Sequence, residues 1–135
     1  MRVRDWMTTD PRTVGPTAPV DEVVGLMHDG SMRHLFVVDD GGHLLGLISE
    51  RDLLGRALGP LSWLTDDERD QALHELLARE VMTEEPDTVT PDTRLADAAR
   101  LLRDRKHGCL PVVDGGRLVG VLTEHDFVRL AAAEG

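Results

Sequence analysis

"GLISERD" at residues 46–52 and "GVLTEHD" at residues 120–126 are the same phrase written twice. Each runs Gly, two apolar residues, a hydroxyl, Glu, a basic or imidazole side chain, then Asp. An apolar stretch that ends in a hydroxyl, with an acid three residues on, marks a strand running into a capped helix. Ser49 and Thr123 are the expected caps, and Asp52 and Asp126 the acids. Asp reaches back less easily than the Glu or Gln of the stronger capping box. An apolar helix face is expected next: Leu53, Leu54 and Ala57 in one copy, Phe127, Val128 and Ala131 in the other. The same groups also suit a ligand. A helix N-terminus offers free N–H groups to a phosphate, and a first-turn carboxylate can accept hydrogen bonds from sugar hydroxyls. The two readings are compatible, since one hydroxyl can cap in the free state and contact a ligand in the bound one.

Working outward, the whole chain repeats. A shift of 75 lays residues 7–39 on 82–114, and a shift of 74 lays residues 41–53 on 115–127. Of these 46 aligned positions, 18 are identical. The one-residue slip falls between "DDGG" and "DGG", where a hairpin turn tolerates a length change. Each copy parses alike. A short extended segment ended by proline ("RTVGP", "DTVTP") leads into a helix. Its apolar face is Val20, Val23, Val24 and Met27 in one copy, and Leu95, Ala98, Ala99 and Leu102 in the other. A hairpin rich in Val, Leu and Ile follows, then the second helix. Each unit is therefore β-α-β-β-α. The fold class is α/β (α+β), with two units covering each other in pseudo-twofold fashion and an extra helix between them. The expected division is residues 1–58, an insertion at 59–79, and residues 80–135. In the insertion, Thr65 and Glu68 form a capping box, and Leu73, Leu76 and Leu77 give an apolar edge suited to packing or dimer contact.

Composition narrows the function. Fifteen basic residues face 25 acidic ones, a net charge of −10, which argues against nucleic-acid binding. No apolar run approaches the length of about 20 residues needed to span a bilayer, and "MRVRDWMTTD" lacks a signal-peptide core. A cytoplasmic protein with no membrane partner is expected. The single cysteine, Cys109, reads as a buried strand residue. The histidines show no metal-ligand spacing, so no metal and no required cofactor is expected.

The doubled pattern resembles a tandem pair of CBS domains, the modules named after cystathionine β-synthase. The resemblance rests on "DWMTTDPRTVGP" with "EVMTEEPDTVTP", "RHLFVVDD" with "GCLPVVDG", and "GLISERDL" with "GVLTEHDF". It covers residues 3–58 and 78–132. Such pairs usually bind adenine nucleotides or related adenosyl ligands in clefts between the repeats, dimerise, and serve as regulatory sensors. The resemblance implies AMP, ADP or ATP as ligand, with S-adenosylmethionine also in range, and a homodimer that signals to a protein effector in trans. It puts Asp52 and Asp126 on the ribose hydroxyls, and Ser49 and Thr123 near the ribose or phosphates. Thr13 and Thr88 would line the clefts. Arg33 and His34 fall where the family often carries basic residues for phosphate. In the second copy Gly108 and Cys109 take those places, with Lys106 and His107 displaced by two. Phe36 also stands where that copy has Pro111. The two clefts should therefore differ in affinity.

Two other function classes compete. A constitutive dimerisation or protein-interaction module would keep the same caps with no ligand. An enzyme would need motifs that are missing: there is no Gly-rich phosphate loop, no supported Ser-His-Asp order and no metal cluster. Glu50 and Glu124 could act as bases, but acids in a helix first turn are more simply dipole partners. The expectation is a regulatory module and not an enzyme.

Overall fold

The computed structural model of the chain describes residues 1–30, 32–105 and 108–134. After a single 3₁₀ turn at Val3–Asp5 the elements run β1 (Thr8–Thr9), β2 (Thr13–Val14), α1 (Val20–Asp29), β3 (His34–Val38) and β4 (Leu44–Ser49). Then come α2 (Glu50–Leu53), a π-helical turn (Leu54–Leu58), α3 (Asp66–Glu75), α4 (Ala78–Val81) and β5 (Thr83–Glu84). The chain ends with α5 (Leu95–Arg105), β6 (Cys109–Asp114), β7 (Arg117–Thr123) and α6 (Glu124–Glu134). The fold is mixed α/β with two sheets, in the orders β2-β3-β4-β5 and β1-β7-β6.

The sheets show how the repeats are used. Within each copy, the segment after the first proline pairs in parallel with its own hairpin: Thr13 with Phe36, and Val89 with Val112. The leading segment does the opposite. β1 pairs with β7 of the second copy, and β5 pairs with β4 of the first. Each copy thus donates its first strand to the other copy's hairpin. Two compact units result, Arg12–Pro86 and Met1–Pro11 with Asp87–Gly135.

The exchange is laced by three matched backbone bonds. In one unit the N–H groups of Val3, Arg4 and Leu95 donate to the carbonyls of Thr93, Pro91 and Met1, at 2.9, 3.0 and 3.0 Å. In the other, Ala78, Arg79 and Val20 donate to Ala18, Pro16 and Leu76, at 2.8, 3.0 and 2.8 Å. Every donor and acceptor is related by the shift of 75. The repeat therefore begins at residues 1 and 76, six residues before the aligned stretch that opens at Met7 and Met82. The shared turn there is closed by an acid: Asp5 accepts from the Arg2 N–H, and Glu80 from the Leu77 N–H, both at 2.9 Å. Asp10 and Glu85 adopt left-handed φ of 54° and 48° just before Pro11 and Pro86, where the chain leaves one unit for the other.

Each unit has its own core. In Arg12–Pro86, Val20, Val23 and Met27 of α1 meet Leu35 and Val37 of β3, Ile48 of β4, and Val81 from the donated segment. In the other unit, Leu95, Ala98 and Leu102 of α5 meet Leu110, Val112 and Leu122, with Val3 as the donated residue. The helical faces expected from the sequence are the buried ones, with Val24 and Ala99 at their margins. Thr65 and Glu68 form the expected capping box of α3, at 3.0 and 3.2 Å. The extra helix is shorter than its sequence pattern. It stops after Glu75, because Leu76 turns extended (ψ 134°) to join the lacing, and α4 starts afresh at Ala78. Leu73 packs into the core beneath α1.

The hairpin turns absorb the one-residue slip. Gly115 and Gly116 make a two-residue turn with φ of 60° and 83°, left-handed values that glycine adopts freely. The first hairpin uses the five residues 39–43, closed by Asp39, whose Oδ1 accepts from the N–H groups of Gly41 and His43 at 2.9 Å each. Those bonds hold the Asp39 carboxyl below its ordinary pKa, the His43 N–H most of all.

Candidate ligand-binding site

Both repeated phrases are strand-to-helix turns. β4 delivers Ser49 to the start of α2, and β7 delivers Thr123 to the start of α6. In the first copy the Asp52 N–H donates to Ser49 Oγ at 3.1 Å, and Asp52 Oδ2 accepts from the Ser49 N–H at 2.9 Å and its hydroxyl at 3.0 Å. In the second, Asp126 Oδ2 accepts from the Thr123 N–H at 2.8 Å and its hydroxyl at 3.3 Å. In the first copy the reciprocal cap forms although the acid is Asp, because the strand end brings the cap backbone within its shorter reach.

The cap uses one carboxylate oxygen and leaves the other to be satisfied elsewhere. Asp52 Oδ1 accepts from the Thr83 hydroxyl at 3.1 Å, with Arg56 Nε 4.0 Å away. Asp126 Oδ1 accepts from Arg129 Nη2 at 2.7 Å. The Asp52 side chain is 13% exposed and that of Asp126 is 4% exposed. The guanidinium of Arg129 also lies 5.5 Å from the centre of the Trp6 ring.

Around the first turn the fold gathers most of the residues singled out in that copy. His34 is the register partner of Ser49, and the carbonyl of Arg33 accepts from the Glu50 N–H at 3.1 Å. Thr13, exposed on β2, pairs with Phe36, two residues further along the strand of His34. Arg33, His34, Ser49 and Asp52 thus sit at one end of a single sheet, with Thr13 at the adjoining edge. In the second copy Cys109 is the partner of Thr123, and Thr88 is exposed beside Val89 where that residue bridges to Val112. Burial pushes the Cys109 thiol up to about 12, so it is a packed neutral group and not a ligand donor. Lys106 and His107 lie outside the described residues.

Sequence reasoning missed Thr83, Arg56 and Arg129. Thr83 was legible as half of the doubled "MT", but its partner lies in the other copy. The arginines follow their aspartates by four and three residues, on the helix face that carries the acid. Of the expected helix faces, Leu53 and Ala57 are buried and Phe127 is half-buried, but Leu54 and Val128 are each 62% exposed. Ala131 is exposed as well. In the first copy the π turn, closed by the Gly59 N–H on the Leu54 carbonyl at 2.8 Å, brings Ala57 inward while Leu54 stays out.

The chemistry of the turns favours hydrogen-bond donors over anions. Glu50 and Asp52, or Glu124 and Asp126, load the first helical turn with negative charge. A phosphate needs cations, and the basic residues beside the first turn are Arg33 and His34, at the start of the neighbouring strand. Two shallow recesses lie elsewhere in Arg12–Pro86. One, of about 320 Å³, is lined by Arg56, Leu61 and Leu76 among others, and one, of about 630 Å³, by Leu45, Met82 and Glu84 among others. Neither includes a residue of the turns. No group of His, Cys, Asp or Glu among the described residues is placed to hold a metal ion.

A model of the CBS domain matches residues 3–59 and 78–133. The chain belongs to the CBS-domain family. It is 34% identical to the chloroplastic CBS domain-containing protein CBSX2 of Arabidopsis thaliana, over 96% of this chain and 63% of that protein. The solved structure of CBSX2 in complex with AMP superposes with a TM-score of 0.83, covering 98% of this chain and 97% of that one at 34% identity. A structure described as an acetoin utilization protein (AcuB) from Vibrio cholerae matches at a TM-score of 0.82 and 34% identity, over 99% and 92% of the two chains. The chain spans less than two thirds of the length of CBSX2. The similarity to inosine-5'-monophosphate dehydrogenase of Mycobacterium leprae, 38% identical, covers 91% of this chain but 21% of that enzyme. What is shared is its CBS part. This chain is a CBS pair. No helix among the described residues is long and apolar enough to cross a membrane.

Proposed function

We propose that this CBS pair is a regulatory sensor of an adenosine-containing ligand: AMP, ADP or ATP, with S-adenosylmethionine in the same range. The observation that carries the reading is the doubled hydroxyl–carboxylate turn, on a chain 34% identical over 98% of its length to a protein crystallised with AMP. Asp52 and Asp126 accept from the ribose hydroxyls, and Ser49 and Thr123 stand beside the sugar or phosphates. Thr13 and Thr88 flank the base or sugar, and Arg33 and His34, with Lys106 and His107 in the second copy, answer the phosphates. The protein acts as a homodimer in the cytoplasm, and an effector protein reads the ligand-dependent change. Such a change requires the ligand to bind one conformational state more tightly than another.

The test is thermal unfolding with each ligand at several concentrations. A ligand at about 100 times its Kd adds roughly 2.7 kcal/mol to native stability. A concentration-dependent rise in Tm is the expected result, and its loss in Asp52→Asn or in Asp126→Asn tells which copy works. No rise with any of the four ligands at millimolar concentration refutes the reading.

A second reading, a constitutive interaction module, is favoured by one observation. The equivalent residues Leu54 and Val128 are exposed to the same extent, on the helical segments that follow the turns. Under that reading Leu54→Glu with Val128→Glu abolishes self-association or partner capture, and no ligand shifts Tm.

A further inference from the structure

The two turns carry the same phrase but leave different groups on the outward carboxylate oxygen. Resting on the sensor reading above, we infer that the first copy is the working site. Arg129 is a positioning residue that withholds Asp126 from a sugar hydroxyl. Each copy has an arginine on the helix face of its aspartate, and each arginine also reaches the donated leading segment. Arg129 Nη2 donates to the Trp6 carbonyl at 3.4 Å, and Arg56 Nη1 to the Met82 and Val81 carbonyls at 2.6 and 3.4 Å. Trp6 and Val81 are equivalent under the shift of 75. The arginines differ in what else they hold.

Arg129 follows Asp126 by three residues on regular α-helix and bonds Oδ1 at 2.7 Å. Arg56 follows Asp52 by four residues, inside the π turn, and its Nε stays 4.0 Å from the acid. Its bonding is spent on the two carbonyls. Asp52 Oδ1 is met instead by a neutral hydroxyl, that of Thr83, at 3.1 Å. A ribose hydroxyl can replace the Thr83 hydroxyl like for like. Replacing the guanidinium means breaking a charge-assisted bond, about twice as strong, and stranding a charge on an acid 4% exposed. Trp6 near the face of the same guanidinium adds to its anchorage. The affinity difference between the copies should be about tenfold or more.

Isothermal titration with AMP tests this. The parent protein should bind one AMP per chain, and Asp52→Asn should remove that event. Arg129→Met should raise the stoichiometry towards two, while Arg129→Lys, which keeps a cation on Asp126, should leave it at one. Arg129→Gln serves if the Met variant is poorly folded. A purely structural role for Arg129 would change melting temperature but not stoichiometry. Two equivalent sites in the parent, or one site that survives Asp52→Asn unchanged, overturns the inference while leaving the sensor reading intact. No binding of AMP, ADP, ATP or S-adenosylmethionine to the parent removes both.

Discussion

Replacing Gly46 by alanine tests the strand exchange directly. Both repeated phrases open on glycine, and both glycines lie beneath a donated segment. A Cβ on Gly46 would come within 2.5 Å of Met82 Sδ, 2.8 Å of Met82 Cγ and 2.8 Å of the Thr83 carbonyl oxygen. A Cβ on Gly120 would meet Met7 Sδ at 2.9 Å and the Thr8 oxygen at 3.0 Å. A thioether can swing aside, but a carbonyl in a strand pair moves only with its backbone. Overpacking of this kind costs about 1–3 kcal/mol. We assign about 2 kcal/mol to Gly46→Ala and about 1 kcal/mol to Gly120→Ala, following the order of the distances. For a chain of this size, that is a fall in Tm of roughly 6–12 °C and 3–6 °C. The assay is denaturant unfolding of both variants, alone and with Met82→Ala. In the Met82→Ala background Gly46→Ala should cost about 1 kcal/mol less, yet still more than nothing, because the Thr83 oxygen remains. A Gly46→Ala variant as stable as the parent, or a cost indifferent to Met82, refutes the pairing of β5 with β4.

Other outcomes follow from single contacts. Ser49→Ala removes the acceptor for the Asp52 N–H and should cost about 1 kcal/mol by denaturant unfolding; no loss would show that the turn needs no cap. The Cys109 thiol, pushed up to about 12 from an ordinary 9.0, should react with a disulfide reagent at pH 8 roughly 1000 times more slowly in the native than in the unfolded chain. Equal rates would mean the strand is open. Glu68 has its carboxyl held below the ordinary 4.5, chiefly by the Thr65 N–H. Its stabilising contribution is therefore present above pH 4.5 and lost as pH falls through the lower folded value. The stability gap between parent and Glu68→Gln should close on acidification, and a gap that widens would reverse the sign of the argument.

Much of the molecule was legible in local pattern. The apolar spacing of residues 20–27 and 95–102 marked the buried faces of α1 and α5, because a helix fixes which residues share a side. The glycine pairs marked the turns, since left-handed φ suits little else. Hydroxyl and acid three apart marked the caps of α2 and α3, because both partners lie within one turn. Local pattern failed where one extra residue changes helical winding. The first-copy helix reads like its twin, yet it widens to a π turn at Leu54–Leu58, in which Ala57 is buried where its twin Ala131 is exposed, and Arg56 Nε stays 4.0 Å from Asp52.

What the chain determined by itself was the repeat and the content of each copy, because identity at a shift of 75 requires no knowledge of contacts. The tertiary structure decided which hairpin receives each leading strand. Residues 7–8 and 82–83 carry the same side chains, Met then Thr, and each hairpin offers a glycine, Gly46 or Gly120, under either one. Pairing within a copy or between copies would satisfy the same local rules. The choice rests on non-local lacing: Val3 on Thr93, Ala78 on Ala18, and the burial of Val3 and Val81 in cores built by the opposite copy. The partner of the outward oxygen of Asp52 depends on the same exchange, since Thr83 arrives on a donated segment, whereas Arg129 meets Asp126 from its own helix and reaches the donated Trp6 at its carbonyl. Two copies of one phrase therefore carry different partners on the outward carboxylate oxygen, Thr83 from across the exchange in one and Arg129 one helical turn on in the other.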